Sequence, residues 1–254
     1  MERKNRNILV VLIAIVIAVA MISSFGFGIF APDTAQIVLP EPAASSTLTQ
    51  DTGKPEDGLV RVDVTPQTVQ NVIATLTRPT SYYREVTIED FWGDGESGVT
   101  TAKVWVDRGW TKTEVIWPGG TVRSSIVGNE QVWLWYGNDR TVLTAPADAH
   151  SADLEGQRIP TYETVLSLEQ EQISAASYEE KGGLSCIYVE TTADEQNYIQ
   201  RYWVSVDSGL LVCAETAQGG TLVYRMSSYA VERPAPSDTS FELPDGTVLH
   251  TIDT

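Results

Sequence analysis

Asn197-Tyr198-Ile199-Gln200-Arg201-Tyr202-Trp203-Val204-Ser205-Val206, followed at once by Asp207-Ser208-Gly209 and Leu210, is the stretch whose reading decides the fold. Tyr198, Tyr202, Val204 and Val206 alternate with Arg201, Trp203 and Ser205. A period of two places the two sets on opposite sides of an extended chain, the pattern of a strand. Asp207-Ser208-Gly209 is then a hairpin turn, with Gly209 in the left-handed conformation that only glycine adopts freely. The run after it, Leu210, Val212 and Ala214, continues antiparallel to the first.

The same grammar extends in both directions. Upstream, Tyr82, Val86, Ile88 and Trp92 point one way before Gly93-Asp94-Gly95, and Ala102, Val104 and Val106 share a face beyond it. Val115 and Trp117 lead to Gly119-Gly120, and Val122 and Ile126 to Gly128-Asn129. Val132 to Tyr136 is apolar at nearly every position, so this strand is covered on both sides. Strands follow at Ile173 to Glu179 and Leu184 to Thr191, joined through Lys181-Gly182-Gly183, and the last long one carries Leu222, Tyr224, Met226 and Ser228. Two helices interrupt the alternation. The first has Thr65 as N-cap, Pro66 at the first helical position, Val69, Val72, Ile73 and Leu76 on one face, and Pro79 as its stop. The second follows Pro160, with Tyr162, Val165 and Leu166 on one face. The expected fold is mostly β (α+β): a curved antiparallel sheet, or unclosed β-barrel, of about ten strands with two short helices covering its concave face.

A different signal precedes this domain. Ile8 to Phe30 is an apolar run of 23 residues behind Arg3, Lys4 and Arg6. As a helix it measures about 34 Å, against a hydrocarbon core of about 30 Å. The run is therefore expected to be a transmembrane signal anchor, with residues 1–7 cytoplasmic and the rest extracytoplasmic. The competing reading is a secretory peptide cleaved after the small residues Ala18 and Ala20. Residues 31–58 hold Pro32, Pro40, Pro42 and Pro55 among Ala, Ser, Thr and Asp, which reads as a flexible linker. Residues 59–254 form the folded extracytoplasmic domain.

Charge narrows the partners. The chain carries 17 basic and 34 acidic side chains, a net charge of −17, a balance that repels phosphate backbones and speaks against nucleic-acid binding. Cys186 and Cys213 are a candidate disulfide in an oxidising compartment, but the meander puts one strand between them, about 10 Å in strand spacing, beyond direct reach. The alternative is two buried small residues.

Reactive chemistry is sparse. The two histidines, His150 and His250, fall in a loop and in the C-terminal tail, and no Gly-x-Ser-x-Gly, phosphate loop, dinucleotide fingerprint or His-Glu-x-x-His occurs. Asp94 and Glu96 at a hairpin tip lack the rest of a calcium-loop signature. No catalytic residue, metal site or cofactor is expected. Trp92, Trp105, Trp110, Trp117, Trp133, Trp135 and Trp203 all fall in or beside strands, where large rings either line a cavity or fill an aromatic β core.

Val104-Trp105-Val106-Asp107 with Thr113-Glu114-Val115, and Ile126-Val127-Gly128-Asn129-Glu130-Gln131-Val132-Trp133-Leu134-Trp135-Tyr136, resemble the central strands of the LolA/LolB-like lipoprotein-carrier superfamily. Tyr202 to Leu210 through Tyr224, closing on Phe241-Glu242-Leu243-Pro244-Asp245-Gly246, is similar to that superfamily's later hairpins and closing element. The resemblance covers residues 65 to 246. It implies an unclosed barrel whose helix-covered hollow receives lipid or lipoprotein acyl chains, with no reaction catalysed. The expected function is a membrane-tethered extracytoplasmic binder of such chains. The alternative is an envelope regulatory or structural protein, sporulation- or stress-associated, that binds another membrane protein. The residues expected to line the hollow are Val86, Ile88, Val104, Val106, Val115, Trp117, Trp133, Trp135, Tyr202, Val204, Tyr224 and Met226, subject to the rule that a one-residue slip reverses a strand's faces.

Overall fold

Alternation of apolar residues along strands of up to twelve residues, several of them closed by glycine-bearing turns, organises the domain. A computed structural model describes residues 63–147 and 158–252; the proposed anchor, the linker and His150 lie outside them. Among the described residues no helix is long and apolar enough to cross a membrane.

In chain order the elements are α1 (Val69–Thr75), β1 (Ser81–Trp92), β2 (Glu96–Asp107), β3 (Trp110–Ile116), β4 (Val122–Gly128), β5 (Gln131–Tyr136) and β6 (Leu143–Pro146), then α2 (Tyr162–Leu166). After α2 come β7 (Ile173–Lys181), β8 (Leu184–Thr191), β9 (Tyr198–Ser205), β10 (Leu211–Gln218), β11 (Thr221–Ser227), β12 (Val231–Glu232), β13 (Ser240–Glu242) and β14 (Val248–Thr251). Twelve strands make one curved antiparallel sheet in the order β6-β5-β4-β3-β2-β1-β11-β10-β9-β8-β7, with β12 added beside β1. The last two strands form a separate hairpin. Ten strands were expected from the alternation. The additional ones are mostly short: β6 is exposed along its whole length, and β12 is two residues long.

The two meanders meet where β1 pairs with β11, in the register Ile88↔Met226 and Asp90↔Tyr224. Registers fix the faces. Arg84, Val86 and Ile88 lie on the same side as Val104, Ala102 and Thr100, then Thr113 and Val115. Through β11, Met226 and Tyr224 lead across to Ala214, Thr216, Tyr202 and Gln200, and on to Val189 and Ile187. Both helices lie over this side, called here the helix face; the other is the outer face.

The helices are tied down by polar groups as well as by burial of Val69, Val72, Ile73 and Val165. Gln70 donates from Nε2 to the carbonyls of Val165, Leu166 and Leu168 at 3.1, 3.2 and 2.8 Å, where the end of α2 presents its last carbonyls. Arg78 does the same for α1, donating to the carbonyls of Ile73 and Leu76, and it reaches Gly209 across the fold. Gly209 has φ +66°, and a Cβ there would stand 2.8 Å from Arg78 Cγ and 2.9 Å from the Thr77 carbonyl, so the turn read from Asp207-Ser208-Gly209 also needs glycine for space. Regular helix begins at Val69, later than Pro66. Thr65 instead opens a turn, its carbonyl accepting from the amides of Thr68 and Val69 at 3.0 and 2.9 Å.

The outer face carries a second core. Ile126, Trp135, Ala235, Phe241 and Ile252 are buried together, with Tyr83, Trp105, Trp110, Trp133, Leu243 and Leu249 packed around them. The β13–β14 hairpin therefore caps β3, β4 and β5 from the side away from the helices. Asp107, 2% exposed, accepts a hydrogen bond from His250 at 2.8 Å, and the His250 ring stacks on Trp110 with centroids 5.3 Å apart.

Candidate functional site

Residues on three neighbouring strands and the approach to α2 enclose a cleft of about 390 Å³ on the helix face. Its floor is the Ala214–Thr216 segment of β10 with Gln200 and Tyr202 of β9 and Tyr224 of β11; its roof is Arg158, Pro160 and Thr164. That volume falls in the range of small-molecule pockets, roughly 300–1,000 Å³.

Local sequence explains the geometry. On β9, β10 and β11, Gln200 and Tyr202, Ala214 and Thr216, and Tyr224 are aligned by the pairings Ala214↔Tyr202, Thr216↔Gln200 and Thr216↔Tyr224. Small residues on the middle strand leave a trough between two tyrosines. Ile159, fully buried, anchors the segment above it. Arg158, held at φ +63°, turns its guanidinium outward to Asp90, with Nη2 to Oδ1 at 2.6 Å and Nη1 to Oδ2 at 3.3 Å. Tyr224 donates its hydroxyl to the Arg158 carbonyl at 2.8 Å, closing roof to floor.

Protonation follows from these contacts. Burial pushes the Tyr224 phenol well above its ordinary value, with the nearby Arg158 guanidinium opposing it, so the ring stays a neutral donor. The hydrogen bond to Asp90 raises Arg158. Because Arg158 is largely exposed, the ion pair adds little stability and serves to position the segment. The cleft thus offers aromatic faces inside and hydroxyl, amide and guanidinium groups at its rim.

The twelve residues expected to line a hollow divide four ways. Tyr202 and Tyr224 line the cleft. Val86, Ile88, Val104, Val115, Val204 and Met226 are on the helix face but buried at 0–3% exposure, as core. Val106 is half-buried on that face opposite Tyr82, and Trp117 sits just past β3 with its ring tilted on Tyr136 at 6.3 Å. Trp133 and Trp135 belong to the outer face. The registers Ile126↔Trp133 and Ser124↔Trp135 put them with Ile126 under the C-terminal hairpin. β5 is apolar on both sides, so alternation alone gave no phase. Trp105 and Trp110 lie there too, and Trp203 is on the outer face beside Cys186, Cys213 and Val212. The aromatic supply mostly builds the core of that face.

Arg158, Pro160, Thr164, Gln200 and Thr216 complete the cleft without having stood out in the sequence. Gln200 and Thr216 occupy the same alternation phase as Tyr202 and Ala214, a signal that polar side chains obscure. Cys186 and Cys213 are free and buried, on strands separated by β9; burial pushes the Cys186 thiol up to about 11. His250 faces Asp107, on the side opposite the cleft. Among the described residues no group of three or more His, Cys, Asp or Glu is placed to hold a metal ion.

No protein-family model matches the chain, and no curated protein matches it. Solved structures do. MucB in complex with MucA(peri) aligns with a TM-score of 0.40 at 13% identity, over 66% of this chain and 56% of that one, so this chain spans little more than half of it. The lipoprotein LppX of Mycobacterium tuberculosis aligns at 0.35 and 13% identity, over 66% of this chain and 93% of that one. A LolA superfamily protein from Nitrosomonas europaea gives 0.30 and 12%, over 68% and 96%. At these scores and identities the likeness assigns neither a superfamily nor an activity to this chain.

Proposed function

We propose that the protein binds lipid or lipoprotein acyl chains, without transforming them, in the cleft between α2 and strands β9, β10 and β11. The observation that carries this reading is the trough itself: two tyrosine rings flank the small Ala214 and Thr216 on the helix face, in a space of about 390 Å³ with a polar rim. An acyl segment laid there leaves water at about 0.8 kcal/mol per methylene. A charged or hydroxylated head group remains at the rim beside Arg158, Gln200 and Thr216. In the same proposal the apolar run Ile8 to Phe30 tethers the domain to the membrane from the extracytoplasmic side, and the linker 31–58 sets its reach. A tethered binder captures or senses chains locally.

The test is to fill the trough. Thr216→Trp and Ala214→Phe place bulk between Tyr202 and Tyr224, and binding of a fluorescent fatty-acid analogue to the full chain in micelles is compared with that of the native protein. A loss of tenfold or more, with unchanged near-UV circular dichroism, supports the reading; undiminished binding by both variants rejects it.

A further inference from the structure

Among the described residues three buried side-chain nitrogen or oxygen atoms have no hydrogen-bond partner, and two of them fall together. They are Nε of Arg84 and Oγ of Ser228, residues each 3% exposed. The third, Arg123 Nε, belongs to β4, on the far side of β2 and β3.

Topology brings the two donors to one place. β11 ends at Ser227, and β12 takes its position beside β1, with Val231 opposite Arg84. Thr87 pairs with Ser227, so the next step of the register sets Ser228 beside Val86, the neighbour of Arg84 on the helix face. Ser228 turns to that face: Met226, two residues earlier, is on it, whereas Tyr229, one residue later, reaches Cys213 on the outer face. Arg84 extends past β11 to β10, donating from Nη1 to the Leu211 carbonyl at 3.0 Å, and the Ser228 amide donates to the adjoining Val212 carbonyl at 2.8 Å. The guanidinium therefore crosses the sheet where Ser228 stands.

Its charge is not balanced there. Among the described residues no carboxylate pairs with Arg84, and its other contact is the Tyr82 ring, with Cζ 5.9 Å from the centroid. A guanidinium keeps its charge when buried, and an unpaired buried charge is strongly unfavourable.

We infer that Arg84 and Ser228 hold a small monovalent anion of the chloride class between β1 and β10, where the two meanders join. Charge and size select this ligand. Val86, Val104, Leu211 and Met226 around the donors are 0–1% exposed, which leaves no path for a phosphate or a lipid head group. A water molecule would meet the donors without balancing the charge, whereas one halide accepts from both Arg84 Nε and Ser228 Oγ. The site uses none of the residues that line the cleft and does not rest on what the cleft holds.

The full chain in micelles is titrated with potassium chloride, with potassium gluconate keeping the ionic strength constant. Chlorine-35 line broadening reads binding, and hydrogen exchange of the Ser228 amide reads its effect. For a dissociation constant on the order of 10 mM, chloride at about 150 mM is expected to raise protection roughly fifteenfold over gluconate. Arg84→Met keeps the bulk without the charge and is expected to abolish both the broadening and the difference between the two salts. Ser228→Ala is expected to reduce both. Native protection that is equal in the two salts overturns the inference, as does broadening that persists in full in Arg84→Met. An arginine with a merely structural role would lower protection equally in both salts when replaced and leave the native chain indifferent to them. The comparison of salts on the native chain needs no variant, so it decides even where Arg84→Met fails to fold.

Discussion

Replacing Phe241 with alanine separates the two faces of the sheet. Phe241 is fully buried, its ring 5.2 Å from His250 and 6.4 Å from Trp110 in edge-on geometry, above Ile126. Truncating a buried phenylalanine costs about 3–5 kcal/mol. A two-stranded hairpin has no stability of its own, so β13–β14 persists only through this packing and the Asp107–His250 contact. Once the loss exceeds the docking free energy, the hairpin lifts off and further destabilisation stops, leaving Trp105, Trp110, Trp133 and Trp135 exposed. Native-state hydrogen exchange on the full chain reads this directly. Amides of β13, β14 and the adjoining β4 and β5 are expected to lose protection by roughly two to three and a half orders of magnitude. Amides of β9 to β11 are expected to keep theirs, and acyl binding is unchanged. Protection lost equally across both halves, or acyl binding lost with the hairpin, would refute the assignment of Trp133 and Trp135 to a structural outer core.

Three further outcomes follow from single contacts. A Cβ on Gly128 would lie 2.1 Å from Trp110 Cε3, so Gly128→Ala is expected to displace that ring and cost about 1–3 kcal/mol, seen as altered tryptophan emission with a lower thermal midpoint. Burial tends to raise the Asp107 carboxyl, but hydrogen bonds from Ser81 and His250 outweigh it and hold the group below its ordinary 3.8. Its stabilisation is thus present above about pH 4 and lost as pH falls through the lower folded-state value; His250→Ala leaves the buried carboxylate short of a donor, at about 1–3 kcal/mol. Exchange protection of β14 against pH checks both, and a hairpin as stable at pH 2 as at pH 7 would count against them. Gln70→Ala removes the donor shared by three carbonyls at the end of α2, and about 1–2 kcal/mol of local protection across 163–168 is expected to go with it.

What could be read from the sequence was what local alternation and turns encode. The hairpins at Lys181-Gly182-Gly183 and Asp207-Ser208-Gly209 stand where their glycines put them, and α2 follows Pro160 as its apolar spacing requires. The junction of β1 with β11 is a contact between residues more than 130 positions apart, and no periodicity records it. β13 and β14 escaped because they are short and find their apolar partners on another part of the sheet. Trp133 and Trp135 show the limit most clearly. A strand apolar on both sides satisfies either register, and only the covering hairpin decides. In the cleft, Tyr202 and Tyr224 were legible as apolar phase, whereas Arg158, Gln200 and Thr216 serve the site through polar groups that alternation treats as solvent-facing.

Photo-crosslinking with a palmitoyl probe bearing a terminal diazirine, applied to the full chain in micelles and mapped by peptide mass spectrometry, tests the proposal that the cleft binds acyl chains most directly. Adducts within 158–166, 198–204 and 214–226, competed by unlabelled palmitate, are the predicted result. Adducts confined to 105–135 and 240–252, or spread without competition, would contradict it.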